Sequence, residues 1–330
     1  MRPVIRSPSV AAVGKDAPVI PSTLPQGRTA RRLAWPFLPP HVRALVAERC
    51  GSPVVEAVSQ DAGFTPGFAS VLTCEDGSRH FVKAASVKAQ RASAEAYREE
   101  ARKLRALPAG APAPRLLWTW EDDWVVLGLE HVEARQPRRP WRPDDLDACL
   151  EMLTTMAGEL TPVPEDLGLQ DVATELAEWP SYWAHMRSTY PELPHLEEAA
   201  ALAARFADVT GGTTVVHADV RDDNLLLTSD GRVLLCDWNW PLRGAAWIDT
   251  VFLLIGPRGD GLDADDALAR SPLTADVPAE HVDILLALAV GYFFRHADLP
   301  VPSSSPWVRT VQHWQGEVAW EWLCERRGWA

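Results

Sequence analysis

The sequence has no apolar run near the ~18 residues that span a bilayer, so it does not read as a membrane protein. Its amino terminus lacks the contiguous apolar core of a signal peptide. Cysteine is sparse and scattered. Cys50, Cys74, Cys149, Cys236 and Cys324 are odd in number, widely spaced and without a CxxC. That spacing argues against a disulfide framework or a zinc site and for reduced thiols in a cytoplasmic protein. No Gly-Lys-Ser/Thr follows a glycine turn, which excludes a Walker A loop. There is no internal repeat and no excess of basic charge. Lys+Arg number 32 against 45 Asp+Glu, a net −13 at pH 7. Nucleic-acid binders carry basic footprints, so no nucleic-acid partner is expected. An acidic surface suits a neutral or cationic small molecule.

What the chain does have is size and apolar content. Its 330 residues, 47% hydrophobic, suffice for one large domain or two lobes. The first 35 residues are rich in Pro, Ser and Arg and read as a disordered extension. Fifteen tryptophans are an unusual number. Trp314, Trp320 and Trp322 fall in the helical pattern Val308 to Arg327 and Trp329 just after it, where an aromatic stripe is core before it is a ligand platform.

The chemistry concentrates in His217-Ala218-Asp219-Val220-Arg221-Asp222-Asp223-Asn224. Leu225 to Leu227, a polar turn and Val233 to Cys236 follow, ending at Asp237. This reads as a loop between short buried strands, with Asp237 aimed from a strand end. Phosphoryl transfer needs a carboxylate for a hydroxyl, oxygen ligands for Mg²⁺ and cations on the phosphates. Asp219 suits the first task. Asn224, five residues on, and Asp237, thirteen beyond that, offer the hard oxygen donors that Mg²⁺ prefers. Arg221 is within reach of a transferred phosphate, or alternatively pairs with Asp222 or Asp223.

On these residues the loop resembles that of the aminoglycoside phosphotransferase and small-molecule kinase family, within the protein-kinase-like superfamily. The family's His-Gly-Asp reads His217-Ala218-Asp219 here. Asp237-Trp238-Asn239 stands where protein kinases carry Asp-Phe-Gly, and no Ala-Pro-Glu segment follows, so the resemblance is to the small-molecule branch. It implies an α/β (α+β) two-lobed fold with a small antiparallel β lobe and a large helical lobe. It further implies ATP and Mg²⁺ as cofactors and a small-molecule hydroxyl acceptor. Within it, His217 supports the site and Asp249 holds the loop backbone, with a plain helix N-cap as the other reading of Asp249.

Upstream, Gly63 to Ser70 leads into Val71 to Cys74, the turn Glu75 to Ser78, and the strand carrying Lys83. By the resemblance Gly67 and Ser70 cover the phosphates and Lys83 contacts them. Glu100, on the inward side of a helix over about 92–107, is the partner expected for Lys83, with Glu95 and Glu99 as fallbacks. A second hairpin turns at Glu121 to Asp123 and runs into Glu130-His131-Val132, where the family binds adenine through the backbone; Glu130 and Val132 are named by position.

The expected layout is an extension over 1–35, a nucleotide-binding lobe with one helix over 36–130, and a catalytic and acceptor-binding lobe over 131–330. Helical patterns fall at Pro143–Thr161, Asp171–Ser188, Pro194–Phe206, Val277–His296 and Val308–Arg327. The acceptor is left open between an aminoglycoside-like antibiotic, which would make this a resistance enzyme, and a choline, homoserine or sugar-type metabolite. A nucleotide-binding pseudokinase is the remaining alternative. Asp260, Asp263, Asp265, Asp266, Asp276, Glu280 and Asp283 form an acidic stretch that suits ammonium groups, or else a solvated helix start. Oligomeric state is not legible.

Overall fold

A computed structural model describes residues 19–25 and 27–329. The β-branched and aromatic runs of the first half form β1 (Val54–Ser59), β2 (Phe68–Cys74), β3 (Arg79–Ser86), β4 (Leu116–Glu121) and β5 (Trp124–Glu130). They make one antiparallel sheet in the order β1-β2-β3-β5-β4. Both expected hairpin turns are present. Gly77 supplies the positive φ of 83° that the first requires.

Successive side chains on a strand point to opposite faces, so this sheet has two apolar sides. Phe68, Leu72 and Val82 pack with Val42 and Val46 of α1 (Pro40–Cys50). Ala85, Val125 and Leu127 pack with Ala94, Tyr97 and Ala101 of α2 (Arg91–Ala106). One helix was expected in this lobe and two are present. The buried positions of α1, Val42, Val46 and Cys50, recur once per turn, too thin a stripe to announce a helix in the sequence.

The large lobe holds two small sheets. One joins β6 (Ala134–Arg135), β8 (Leu225–Thr228) and β9 (Val233–Leu235); the other pairs β7 (Thr214–Val216) with β10 (Leu242–Gly244). Around them lie α3 (Pro143–Glu159), α4 (Val172–Glu175), α5 (Trp183–Thr189), α6 (Leu196–Ala203), α7 (Phe206–Val209), α8 (Ile248–Gly259), α9 (Ala264–Arg270), α10 (Ala279–Ala297) and α11 (Val308–Arg327). The helix expected over Asp171–Ser188 is broken into α4, a 3-10 turn at Trp179–Tyr182 and α5. Pro180 has no N–H to give a helix and disfavours helical backbone at Trp179. Trp320 and Trp322 are fully buried in the core, as an aromatic stripe on a packed helix should be. Among the described residues no helix is long and apolar enough to cross a membrane.

Of the extension expected to be disordered, residues 1–18 and 26 lie outside the described residues. Residues 19–25 and 27–35 correct that expectation, because the fold holds them. Ile20 is buried in the large-lobe core; its N–H donates to Gly259 O and its carbonyl accepts from Trp314 Nε1, each at 2.9 Å. Thr29 N–H donates to Asp61 O at 2.8 Å, and its hydroxyl lies 2.6 Å from Ala62 O. Arg31 N–H donates to Ser304 O at 2.7 Å. A few apolar anchors, Ile20, Ala30, Leu33 and Trp35, and a few backbone bonds fix a segment whose composition reads as disorder.

Candidate active site

The His217–Asn224 loop spans the gap between buried strands β7 and β8. Its first two residues are clamped by Asp249 in the first turn of α8. Asp249 Oδ2 accepts from His217 N–H at 2.7 Å and Oδ1 from Ala218 N–H at 2.9 Å. The N-cap of α8 is Trp247, so the capping reading of Asp249 is corrected. Burial raises the Asp249 carboxyl to about 6, against the pull of the two N–H groups. Ala218 is held at φ 65°, in the left-handed region where a Cβ is strained. His217 is buried. Its Nε2 lies 2.9 Å from Cys236 O, and its Nδ1 accepts from Asp219 N–H at 3.3 Å. That pattern assigns the neutral Nε2–H tautomer, and burial lowers the imidazole to about 4. His217 therefore braces the loop and carries no charge at neutral pH.

Asn224 donates its amide N–H groups to Asp219 O and Oδ2 at 2.9 and 3.0 Å, which turns its amide oxygen away from them. Cys236 N–H donates to Asn224 O at 2.8 Å, fixing the loop's end against β9 and so against Asp237. Arg221 donates to Asp219 through Nη1 and to Asp223 through Nε and Nη2 at 2.9 and 3.0 Å. Its guanidinium also lies 5.3 Å from the Phe64 ring. The pairing with Asp223 is the plainer of the two expected fates of Arg221, but it occurs inside the site, in contact with Asp219. Burial raises the Asp219 carboxyl to about 6; Arg221 and Asn224 oppose the rise, Asp223 and Asp237 add to it.

Across the lobes, Lys83 Nζ donates to Glu100 Oε1 and Oε2 at 2.7 and 2.9 Å and also to Asp237. The choice among three glutamates is settled by position: Glu95 pairs with Arg91, Glu99 with Arg102, and only Glu100 is buried with Tyr97 and Ala101 against the sheet. Burial works against the Lys83 charge, but Asp237 and Glu100 outweigh it and hold the ammonium protonated. Burial likewise opposes the Asp237 charge, and the Lys83 ammonium holds its carboxyl below the ordinary range. Asp237 sits at φ 62°, a conformation that Asp tolerates better than most residues.

These groups border an interlobe cavity of about 280 Å³. Lys83 and Glu100 line it from above, Asn224 and Asp237 from below, and Glu130, His131 and Val132 at the linker. The Glu130 carboxylate is bound to Arg115, at 2.8 Å from both its Nε and its backbone N–H. Two expected residues are absent from the lining. Ser70 is buried on the opposite face of the sheet, in step with Phe68 and Leu72, while Ala69 and Val71 face the cavity; the strand period decides this. Gly67 does not border it either. A Cβ there would fall 2.3 Å from Tyr97 Oη, so Gly67 lets α2 approach the loop, and Ala62 and Gly63 are the loop residues at the cavity. Arg32 also lines it. No motif marks Arg32, and it lies in a stretch whose composition suggested disorder.

A second cavity, of about 370 Å³, lies on the other side of the loop and shares Ala62, Gln136 and Asp223 with the first. Val220 to Asp223, Phe64, Trp141, Phe252 and Trp314 border it. Two of its three carboxylates are paired with arginines. Asp222 takes Arg139, Asp223 takes Arg221, and Asp260 accepts from Trp141 N–H at 2.8 Å. Of the acidic stretch, only Asp260 reaches a cavity. Asp263 caps α9, Asp266 pairs with Arg270 at 2.7 Å, Glu280 with Arg205 at 3.0 Å and Asp283 with Arg326 at 2.6 Å. The fold also gathers Cys50, Cys74 and His80, with donor atoms within 4.8 Å of one another, a proximity that sequence spacing did not show. Cys50 and Cys74 belong to the core under α1, and burial together with Cys74 pushes the Cys50 thiol up to about 12, so Cys50 packs as a protonated thiol.

A model of the phosphotransferase enzyme family matches residues 64–281. Among solved structures, a spectinomycin phosphotransferase in complex with ADP and spectinomycin is similar at a TM-score of 0.60 and 10% identity, over 87% of this chain and 98% of that one. Choline kinase from Streptococcus pneumoniae is similar at 0.56 and 14%, over 88% and 100%. An aminoglycoside phosphotransferase from Alicyclobacillus acidocaldarius is similar at 0.55 and 15%, over 88% and 96%. At such identities the likeness is one of fold: two lobes, kinase-like, as the loop motif implied. No curated protein matches the sequence.

Proposed function

The chain belongs to the phosphotransferase enzyme family, and from that premise we propose that it moves the γ-phosphate of Mg·ATP to a hydroxyl of a small molecule. One observation carries this reading. Lys83, Glu100 and Asp237 meet across the lobes beside the Asp219–Asn224 pair, so that a cation and two oxygen donors line one cavity and a base is hydrogen-bonded to one of those donors. The nucleotide occupies the interlobe cavity, its base against the backbone of Glu130 to Val132 and its phosphates toward Lys83. The outward amide oxygen of Asn224 and the carboxylate of Asp237 form a hard donor set that suits Mg²⁺. Bound there, Mg²⁺ supplies positive charge to the phosphate oxygens.

The acceptor enters from the second cavity, whose Val220 and Arg221 adjoin Asp219, and presents its hydroxyl to Asp219 at the loop. Its oxygen bonds to the γ-phosphorus as the bond to the β–γ bridging oxygen breaks. ADP leaves, and Asp219 takes the hydroxyl proton. Arg221 and Asn224 hold the Asp219 carboxylate toward that hydroxyl, which makes Arg221 a positioning residue in the nucleotide-free protein. The paired carboxylates of the second cavity lend no support to an aminoglycoside-like acceptor. The test is ADP release from Mg·ATP with spectinomycin, a macrolide, hygromycin B, choline and simple sugars or alcohols. Acceptor-dependent ADP release with a phosphorylated product supports the reading. Nucleotide binding without any release, to acceptor or to water, would make the chain a pseudokinase.

A further inference from the structure

We infer that the N-terminal segment completes the active site, with Arg32 as a cation for the nucleotide phosphates. This rests on the nucleotide reading above. Residues 19–32 lie outside the family match at 64–281. The cavity's own charges do not favour a polyanion. Lys83 is shared between Glu100 and Asp237, Arg221 of the neighbouring cavity is taken up by Asp219 and Asp223, and Arg79 pairs with Glu133 at 2.6 Å. Each of the first two groups sets one cation against two carboxylates. Arg32 makes no ion pair among the described residues. Its Nη1 donates to Gly67 O at 3.4 Å, and its Nε is buried with no hydrogen-bond partner among them. A buried guanidinium N–H without an acceptor is costly, and a phosphate oxygen would satisfy it. Thr29 on the loop carbonyls of the small lobe and Arg31 on Ser304 of the large lobe hold Arg32 at the cavity mouth.

The test is calorimetric titration of the full chain with Mg·ADP and, separately, with adenosine. Arg32→Gln should weaken Mg·ADP about tenfold, the loss of one charge-assisted contact, and leave adenosine within about twofold. Arg32→Lys should recover part of the ADP affinity, since a point charge still serves phosphate. Equal losses for both ligands, or no loss for either, overturn the inference, because Arg32 would then be only a tether or a bystander. A wild-type chain that binds neither ligand overturns the nucleotide reading itself.

The second cavity carries a separate inference about the same segment. Between its anchors at Ile20 and Thr29, Ser22, Leu24, Pro25 and Gly27 form a wall of that cavity, facing Trp141, Phe252 and Trp314. With two of its three carboxylates already paired to arginines, we infer that the cavity takes a hydroxyl compound with an apolar face and at most one charge, and that the segment walls it off from bulk water. Leu24→Gly, and Ile20→Asp to free the anchor, should raise Mg·ATP hydrolysis to inorganic phosphate several-fold. They should also speed maleimide labelling of a Phe252→Cys probe relative to the same probe behind the native segment. Unchanged hydrolysis and labelling in a folded Leu24→Gly protein overturn the wall. Turnover of hygromycin B above that of every uncharged acceptor overturns the acceptor class.

Discussion

The two cavities flank one loop yet are built in different ways. The interlobe cavity is made of residues set by short-range rules: Lys83 by strand alternation, Glu100 by helical spacing, Asn224 and Asp237 by the loop and strand around them. The second cavity is assembled from far-separated pieces, Ser22 to Pro25, Trp141, Phe252 and Trp314, with two of its three carboxylates paired to arginines. The first is positioned by local pattern. The second, proposed above for the acceptor, is positioned by tertiary packing.

The comparison breaks most sharply at Asp219, the acid on the side of the loop that meets the acceptor. Asp219→Asn should lower kcat by roughly 10²–10⁴-fold, the usual worth of a general base, while Mg·ADP affinity stays within about threefold. ADP-release kinetics and calorimetry read the two halves; a kcat near wild type would remove Asp219 from the chemistry.

Next comes the clamp. Asp249→Ala leaves His217 and Ala218 N–H groups buried without an acceptor and should cost roughly 3 kcal/mol in urea unfolding. A loss below about 1 kcal/mol would mean water replaces the carboxylate.

The pH dependence has a definite sign. Burial raises the Asp219 carboxyl to about 6, and only the ionised form accepts a proton. Acceptor turnover should therefore fall as pH drops through about 6, where an ordinary aspartate would hold to about 4. Carboxyl ¹³C shifts of the metal-free protein check the value directly. Arg221→Ala should move it further up, because Arg221 opposes the effect of burial; a downward move contradicts the assigned geometry.

Two smaller effects sharpen the account. Ala218→Gly relieves a Cβ at φ 65° and should raise stability by up to about 1 kcal/mol, the strain less the added chain entropy. Ser70→Ala, on the far face of β2, should leave Mg·ADP affinity within about twofold; a tenfold loss would put its hydroxyl back at the phosphates.

Legibility followed the range of the interaction. Asp219, Asn224 and Asp237 lie within nineteen residues and their offsets carried the site. Lys83 was named by the resemblance and Glu100 by helical spacing, with Glu95 and Glu99 left open until the fold paired them with Arg91 and Arg102. Gly67 and Ser70 were misplaced because glycine and serine before a strand read as a phosphate cover whichever way the strand faces; one residue of register moved the lining to Ala69 and Val71. The acidic stretch was equally ambiguous, since a carboxylate that caps a helix or binds a distant arginine has the same composition as one that awaits an ammonium.

By itself the sequence determined the strand-loop-strand run that carries Asp219, Asn224 and Asp237, the two hairpins of the first half and the inward face of the helix bearing Glu100, because backbone periodicity and fixed offsets are local properties of the chain; the two-lobed plan came from the resemblance those residues carry. Only the tertiary structure decided that Asp249 clamps the loop, that Asp223 takes Arg221, and that Arg32 and the segment before it enter the site. Those facts depend on which carbonyl, carboxylate or ring arrives from elsewhere in the chain, and no local period encodes that arrival.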